Sequence, residues 1–121
     1  MFRRRILYIQ VFQDHFAGRV LNEELRARKD CHALDNRRGE IQDFTRIRET
    51  LRSLVKDLAP GFSLRKPIAL MHFIPEHYQP TQRELELFKK TAEHSGISFC
   101  WMSKWETPHT DSELTNVFRA L

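Results

Sequence analysis

The sequence predicts a single α/β domain with a five-stranded mixed sheet. The apolar run at 67–74 has no polar alternation except His72, which is typical of a strand buried on both faces. A helix signal and a second apolar run at 97–102 follow it, so residues 66–102 are predicted to form a strand, a crossover helix and a parallel strand. At 121 residues the chain is large enough for one core and too small for two.

The composition favours a folded protein in a reducing compartment. Nine Phe, two Trp and two Tyr, within a hydrophobic content of 40%, argue against disorder. No window approaches the roughly 20 apolar residues of a membrane span, and residues 1–5 lead into a strand rather than a cleavage site. Cys31 and Cys100 lie in unrelated contexts, which is typical of free thiols. We therefore expect a cytoplasmic protein with no membrane association and no disulfide.

The first two strands are predicted to form a hairpin. Residues 6–12 are a β-favouring apolar run that only Gln10 interrupts, which indicates a central strand. Turn residues at 13–15 lead into a weaker strand at 16–21 that contains Gly18. The second strand is therefore expected nearer an edge of the sheet.

The third strand has the weakest signal. Residues 22–40 are mostly polar, and their last apolar positions lie between Cys31 and Leu34. On that basis we predict a short strand at 31–34.

The clearest helix is predicted at 43–59. Its apolar residues recur at three- and four-residue steps, which places them on one helix face. Asp43 is the predicted N-cap, and Pro60-Gly61 ends the helix because proline lacks a donor and glycine readily takes the left-handed conformation. The apolar stripe consists of Phe44, Ile47, Leu51, Leu54, Val55 and Leu58.

Two further helices open on capping boxes. Thr81 and Glu84 open the crossover helix, which is predicted to end at Gly96. Thr110 and Glu113 open a short C-terminal helix. The apolar stripes are Leu85, Phe88 and Ala92 in the first, and Leu114, Val117, Phe118 and Leu121 in the second.

The predicted strand order is 3-2-1-4-5. In this order both crossover connections step in the same direction along the sheet. Because such crossovers are right-handed, both crossover helices then cover one face of the sheet. The C-terminal helix is expected to cover part of the other face, docked on its own chain. We expect deletion of residues 110–121 to expose Trp101 and its neighbours.

Several short sequence matches accompany this order of elements. They are Leu7–Gln10 (Leu-Tyr-Ile-Gln), Ile41–Phe44, Lys66–Leu70, Pro75, Glu84 and Ser95-Gly96. With them the chain resembles the first subdomain of the MreB-type bacterial actins and, more closely, the small free-standing proteins of the YjaA type. The resemblance spans nearly the whole chain and implies an actin-like ATPase (ribonuclease H-like) subdomain. It also implies a small, stress-associated bacterial protein.

The resemblance does not carry ATPase activity to this chain. In MreB-type proteins the first hairpin holds an Asp-x-Gly-Thr phosphate loop, whose acid organises Mg²⁺ and whose glycine lets backbone amides approach phosphate. Gln10, Val11 and Phe12 stand there instead, so the carboxylate is replaced by an amide and a ring fills the phosphate space. The sequence also has no second nucleotide-binding half. We expect no ATP binding, no ATP hydrolysis and no cofactor.

Other catalytic and metal-binding patterns are weak. The serines lack a nucleophile-elbow context, and Cys100 lies inside a predicted strand, where a structural thiol is typical. His77, His94 and His109 show no metal-ligand spacing. We expect no catalytic residue and no metal site, and we interpret His72 as a buried, hydrogen-bonded core residue.

Two stretches are candidate partner surfaces. Residues 76–80 form a loop at the carboxyl end of the central strand, where open α/β sheets place their sites. Residues 101–105 put two tryptophans and a methionine at a strand exit, either packed on the terminal helix or exposed to a partner. The candidate surface residues are Glu76, His77, Tyr78, Trp101, Met102 and Trp105.

Positive charge raises a nucleic-acid alternative. The formal net charge is +4 and the isoelectric point is about 9.4, although the basic residues are scattered among acidic ones. The candidate nucleic-acid contacts are Arg3, Arg4, Arg5, Arg37 and Arg38.

Three functions therefore stay open, and we favour the first. It is a non-enzymatic interaction module, a monomer or weak homodimer, that docks a protein partner or a second copy of itself. The second is a nucleic-acid-binding module that uses the arginines named above. The third is a small-molecule binder at the 76–80 loop.

Overall fold

The chain folds into a mixed β-sheet with helices on both faces. The computed structural model describes residues 5–60 and 66–119. Four residues used in the sequence predictions lie outside these ranges: Arg3, Arg4, Gly61 and Leu121.

Five strands and three α-helices make up the described structure. In chain order they are β1 (Ile6–Val11), β2 (His15–Val20), β3 (Arg26–Asp30), α1 (Phe44–Leu58), β4 (Ile68–His72), α2 (Gln82–Glu93), β5 (Phe99–Ser103) and α3 (Asp111–Arg119). The sheet order is β3-β2-β1-β4-β5, which confirms the predicted order 3-2-1-4-5. β1 is antiparallel to β2 and parallel to β4, and β5 is parallel to β4.

β1 and β2 form the predicted hairpin. Gly18, in the middle of β2, lies beneath the end of α1. A Cβ at this position would stand 2.6 Å from a terminal methyl of Leu58. The missing side chain therefore lets α1 approach the sheet closely.

The predicted third strand at 31–34 is wrong, because β3 lies just before it. β3 is an edge strand with the sequence Arg-Ala-Arg-Lys-Asp, and only Ala27 packs against the main core. Its exposed positions are charged, so it lacks the apolar pattern on which strand prediction depends. The apolar residues Cys31 and Leu34 belong instead to a 3₁₀ turn and its N-cap, where both side chains are buried.

The two crossover helices pack on one face of the sheet, as predicted. α1 begins after Asp43, whose carboxylate accepts the Arg46 N–H at 3.0 Å, and α2 begins with the predicted capping box of Thr81 and Glu84. Gly96, just past the end of α2, has a φ of +93°. The fully buried core on this face includes Leu7, Ile9, Phe16, Leu51, Leu54, Met71, Phe73 and Phe88.

The carboxylate of Glu84 also fastens the segment that precedes α1. It is fully buried and accepts hydrogen bonds from the Thr81 N–H, the Ile41 N–H and the Asn36 side-chain amide, at 2.9–3.0 Å. Burial alone raises the pKa of Glu84, but these donors outweigh it and the net effect lowers the pKa. Glu84 is therefore a satisfied buried anion that positions the loop before α1.

α3 docks on the opposite face of the sheet, on its own chain, as predicted. Leu114 and Phe118 pack against Tyr8, Leu21 and Leu70, in a second buried cluster. The predicted capping box opens the helix.

The expectation that α3 covers Trp101 is wrong. Trp101 remains 43% exposed with α3 in place and does not belong to the cluster around Leu114. Because α3 has nine residues, about 13 Å of helix, it covers the centre of this face and leaves both margins of the sheet open.

Candidate functional site

The two edges of the sheet differ in chemistry. β3 forms one edge, and its charged residues Arg26, Arg28, Lys29 and Asp30 are of the kind that discourages pairing with another chain. β5 forms the other edge with the sequence Phe-Cys-Trp-Met-Ser, which contains no charge. β5 pairs only with β4 among the described residues. β5 is therefore the edge of the sheet that lacks charged residues to discourage pairing with another chain.

An exposed aromatic surface lies beside β5. Trp101 and Trp105 are 43% and 55% exposed, more than any other large hydrophobic residue in the described structure. The ring of Phe99, which is half-buried, lies 6.2 Å from that of Trp101. Met102 packs against the main core on the opposite face, so the structure separates it from the two tryptophans. We call Trp101, Trp105 and the outer side of β5 the tryptophan edge.

A buried hydrogen-bond network holds the segment after β5 in place. The Nε2–H of His72 donates to the Trp105 carbonyl at 2.8 Å, which leaves Nδ1 to accept the Tyr8 hydroxyl at 2.6 Å. The Tyr8 oxygen in turn accepts the backbone N–H of His109 at 3.0 Å. His72 is thus the buried, hydrogen-bonded histidine that the sequence predicts. It ties Trp105 to the centre of the sheet.

His109 extends this network toward the tryptophan edge. Its Nε2 lies 2.8 Å from the Ser103 hydroxyl oxygen, and its ring stacks on Trp105 with centroids 4.7 Å apart and 23° between the planes. One face of the Trp105 ring is therefore fixed against His109.

Burial lowers the pKa of both His72 and His109, so both rings are neutral at pH 7. Unfolded histidines bind protons near their usual pKa of 6.5, whereas these two bind them only at lower pH. The unfolded state then holds more protons, so the free energy of unfolding should be highest above about pH 7 and decrease as the pH falls below about 6.5. Urea denaturation at several pH values measures this.

The matched variants for that pH profile are His72→Gln with His109→Gln, and His77→Gln as an exposed control. The double variant should flatten the profile just below about pH 6.5, and the control should keep the wild-type slope. A wild-type profile that is already flat in this window would show that the two rings do not titrate as assigned.

The candidate loop at 76–80 divides into an exposed tip and a buried anchor. Glu76 and His77 are exposed, whereas Tyr78 is buried and donates its hydroxyl to the Leu34 carbonyl at 2.5 Å. Burial raises the pKa of Tyr78 far above its usual range. Its prediction as a surface residue is therefore wrong, because its ring packs in the core with Phe73.

An open cleft of about 570 Å³ lies between this loop and the turn after β1. Phe12 lines it, stacked on His15 at 4.4 Å and 5.2 Å from the ring of His77. Glu76 and Arg37 are among its polar lining residues. The cleft coincides with the place where the sequence predicts a small-molecule site.

The three candidate nucleic-acid arginines that the structure describes do not share one surface. Arg5 precedes β1, where it pairs with Glu23 at 3.5 Å, whereas Arg37 lines the cleft beyond the other end of this strand. The six residues of β1, about 20 Å, separate the two ends. Arg37 is itself paired with Asp35, whose pKa it lowers to about 2. Arg38 is exposed, and Arg3 and Arg4 lie outside the described residues.

Three general properties bear on other functions. No group of three His, Cys, Asp or Glu side chains within 5–60 and 66–119 is arranged to hold a metal ion. No helix in those same ranges has the length and apolar character that crossing a membrane requires. Cys31 and Cys100 are buried and unpaired, and burial raises the pKa of Cys100 to about 12, which disfavours a nucleophilic thiolate.

Comparison with known proteins assigns the chain to no family, since neither a family model nor a curated protein matches it. The tryptophan edge is therefore the strongest guide to function. The network behind it, formed by Tyr8, Ser103 and His109 with His72, was missed in the sequence because its members are up to 101 positions apart.

Proposed function

We propose that the protein is a non-enzymatic interaction module that binds an extended segment of a partner protein along β5. The observation that carries this proposal is the tryptophan edge, an edge strand without charge beside two exposed tryptophans. An uncharged, exposed edge strand is a template for pairing with another chain. In strand addition, main-chain hydrogen bonds supply affinity and side-chain contacts supply specificity, and tryptophan is enriched among the residues that dominate binding energy.

Preorganisation of Trp105 supports the same function. Its backbone carbonyl is held by His72 and its ring by His109, so its position is fixed before any partner arrives. Ordering a side chain on binding costs about 0.5–1.5 kcal/mol, and a fixed ring avoids much of that cost.

Charge favours a different protein over a second copy of this chain. The formal net charge is +4, so two copies repel each other, whereas an acidic or neutral partner is not repelled. The proposed active form is therefore a monomer, and its partner presents an extended, uncharged or acidic segment.

The proposal also covers the family, the fold relationship and the location of the protein. We infer a cytoplasmic, stress-associated bacterial protein of the YjaA type, with the fold of the first actin-like (ribonuclease H-like) subdomain. The mixed sheet in order 3-2-1-4-5 and the two crossover helices on one face support that inference. The side chain of Phe12, in the turn after β1, supports the inference that this end of the hairpin does not bind ATP.

Affinity capture from a lysate of the source organism tests the proposal with three baits. They are the wild type, Trp101→Lys, and Leu25→Lys as a matched change at an exposed apolar residue away from β5. We expect a protein that wild type and Leu25→Lys retain equally. The Trp101→Lys bait should capture at least about tenfold less of this protein, because removal of a binding hot spot costs about 2 kcal/mol or more.

Salt and ultracentrifugation separate this function from its alternatives. Capture through an apolar edge should persist at about 0.5 M salt, whereas a nucleic-acid complex weakens steeply through counterion release. Equal capture by Trp101→Lys and wild type would refute the proposal. A concentration-dependent dimer that Trp101→Lys abolishes would make the occupant a second copy.

The cleft at the 76–80 loop supports a second candidate function, the binding of a small molecule. Its volume of about 570 Å³ lies in the range of ligand pockets, and the aromatic ring of Phe12 and the charged groups of Glu76 and Arg37 line it. Loss of a bound metabolite on Phe12→Ala, with capture by the tryptophan edge intact, would identify this function.

A further inference from the structure

An open groove lies over the other uncovered margin of the sheet, on the face that carries α3. Its volume is about 750 Å³. Two cross-strand rows form its floor: Tyr8, Arg19 and Arg26, and Gln10, Ala17 and Arg28. Directly opposed residues of antiparallel strands share a face, so three arginines project into one concave surface. Ala17 has the small side chain that leaves the middle of the floor open.

The charges within this groove are not balanced locally. Arg19 and Arg26 stand directly opposite each other, an arrangement of like charges that destabilises a sheet. Arg19 is compensated, because it forms an ion pair with Asp111 and lies over the Tyr8 ring at 4.9 Å. Arg26 has no carboxylate within ion-pair distance among the described residues, and it shares the charge of Asp111 with Arg19: the pKa of Asp111 is lowered by its hydrogen bond from Arg19 and, more weakly, by the charge of Arg26. Arg26 is therefore only weakly compensated.

Arg28 adds a second weakly engaged cation. Its partner Asp30 lies on the same strand at 3.3 Å, and the two side chains are 61% and 73% exposed. Such exposed ion pairs contribute little, so an incoming anion can compete for Arg28. Arg26 and Arg28 are two positions apart on β3, which sets their Cα atoms about 6.7 Å apart on one face.

We propose that this groove binds a small anion with two phosphate groups, one for each of these two guanidinium groups. The planar guanidinium matches phosphate oxygens with two parallel N–H donors, which is the strongest form of charge-assisted recognition. The groove has the size of a small-ligand site. Pro108, His109 and Asp111 line its opposite side, and the carboxylate of Asp111 repels an anion that extends across the floor. That wall favours a short ligand over a nucleic-acid strand.

The site is independent of the tryptophan edge. β3 and β5 are opposite edges of the sheet, with three strands between them. Failure of one proposal therefore leaves the other standing.

Calorimetric titration of the full-length protein with inorganic pyrophosphate, in metal-free buffer at constant ionic strength, tests the groove. Pyrophosphate should bind at least about tenfold more tightly than inorganic phosphate, because two fork contacts replace one. The double variant Arg26→Ala with Arg28→Ala should bind pyrophosphate about tenfold more weakly than wild type, or weaker still. Arg37→Ala with Arg38→Ala removes the same charge elsewhere and should stay within about twofold of wild type.

Amide chemical-shift mapping on the wild type makes the test independent of how the variants fold. Pyrophosphate should shift Gln10, Ala17 and residues 26–28. Shifts centred on residues 76–79, equal losses in both double variants, or no binding below about 5 mM would each overturn the proposal. Tighter binding of a short single-stranded oligonucleotide, lost in the Arg26/Arg28 variant, would reassign the groove to a nucleic-acid backbone.

Discussion

Deletion of residues 110–121 should convert the protein into a dye-binding, aggregation-prone species. α3 covers Leu21 and Leu70, which are at most 9% exposed in its presence. Its removal exposes that apolar cluster and also breaks the ion pair between Arg19 and Asp111. Exposed clusters of this kind bind hydrophobic dyes and drive association. Dye fluorescence and analytical ultracentrifugation of the full-length and truncated proteins measure the effect.

A matched pair of point variants separates loss of the apolar contact from loss of chain length. Phe118→Asp places a charge in the buried cluster and should reproduce the deletion, whereas Asn116→Asp lies on the exposed side of α3 and should not. A full-length dimer that becomes a soluble, well-folded monomer on truncation would mean that α3 docks on another copy.

Replacement of Phe88 by alanine should lower the free energy of unfolding by about 3–5 kcal/mol, which is a large part of the stability of an ordinary domain. The side chain is fully buried. Its ring meets those of Phe73 and Phe44 edge-on, at centroid distances of 5.1 and 5.4 Å. Alanine removes these contacts and leaves a cavity between α2 and the sheet.

Urea denaturation measures this loss, with Leu85→Ala as the control on the same helix. Leu85 is only partly buried against the core, so its truncation should cost clearly less than that of Phe88. Equal and small losses for the two variants would mean that Phe88 is not a principal packing residue of α2.

Elements whose signals are local in the sequence were predicted well. The N-cap Asp43, the capping box of Thr81 and Glu84, and the apolar stripe of α1 depend on residues within a few positions of one another. The Glu84 carboxylate also accepts hydrogen bonds from the Asn36 amide and the Ile41 N–H. These residues are 43–48 positions from Glu84, so no local sequence pattern predicts the contacts.

The three wrong predictions concern positions whose structure is set by long-range contacts. β3 is an edge strand whose exposed positions are charged, so it lacks apolar alternation, and the strand was predicted instead at the buried turn beside it. Tyr78 lies in a loop, yet its hydroxyl finds the Leu34 carbonyl and its ring joins the core. Trp101 was expected under α3, whose short length leaves the edge strand uncovered.

The arginine groove was not predicted because its members become neighbours only through the correct strand register. With a strand placed at 31–34, Arg26 and Arg28 fall in a loop. With β3 at its observed position, Arg28 pairs with Ala17 and Arg26 with Arg19 on one face. Register, rather than composition, therefore creates this site.

Hydrogen exchange of the β5 amides, measured for the protein alone and in the complex recovered by affinity capture, examines partner binding at the level of single hydrogen bonds. Strand addition predicts slower exchange at residues 99–103 in the complex, because outer amides of β5 gain main-chain acceptors, with exchange in β3 unchanged. Unchanged exchange at 99–103, together with protection at residues 76–79 or 26–30, would contradict binding along the tryptophan edge.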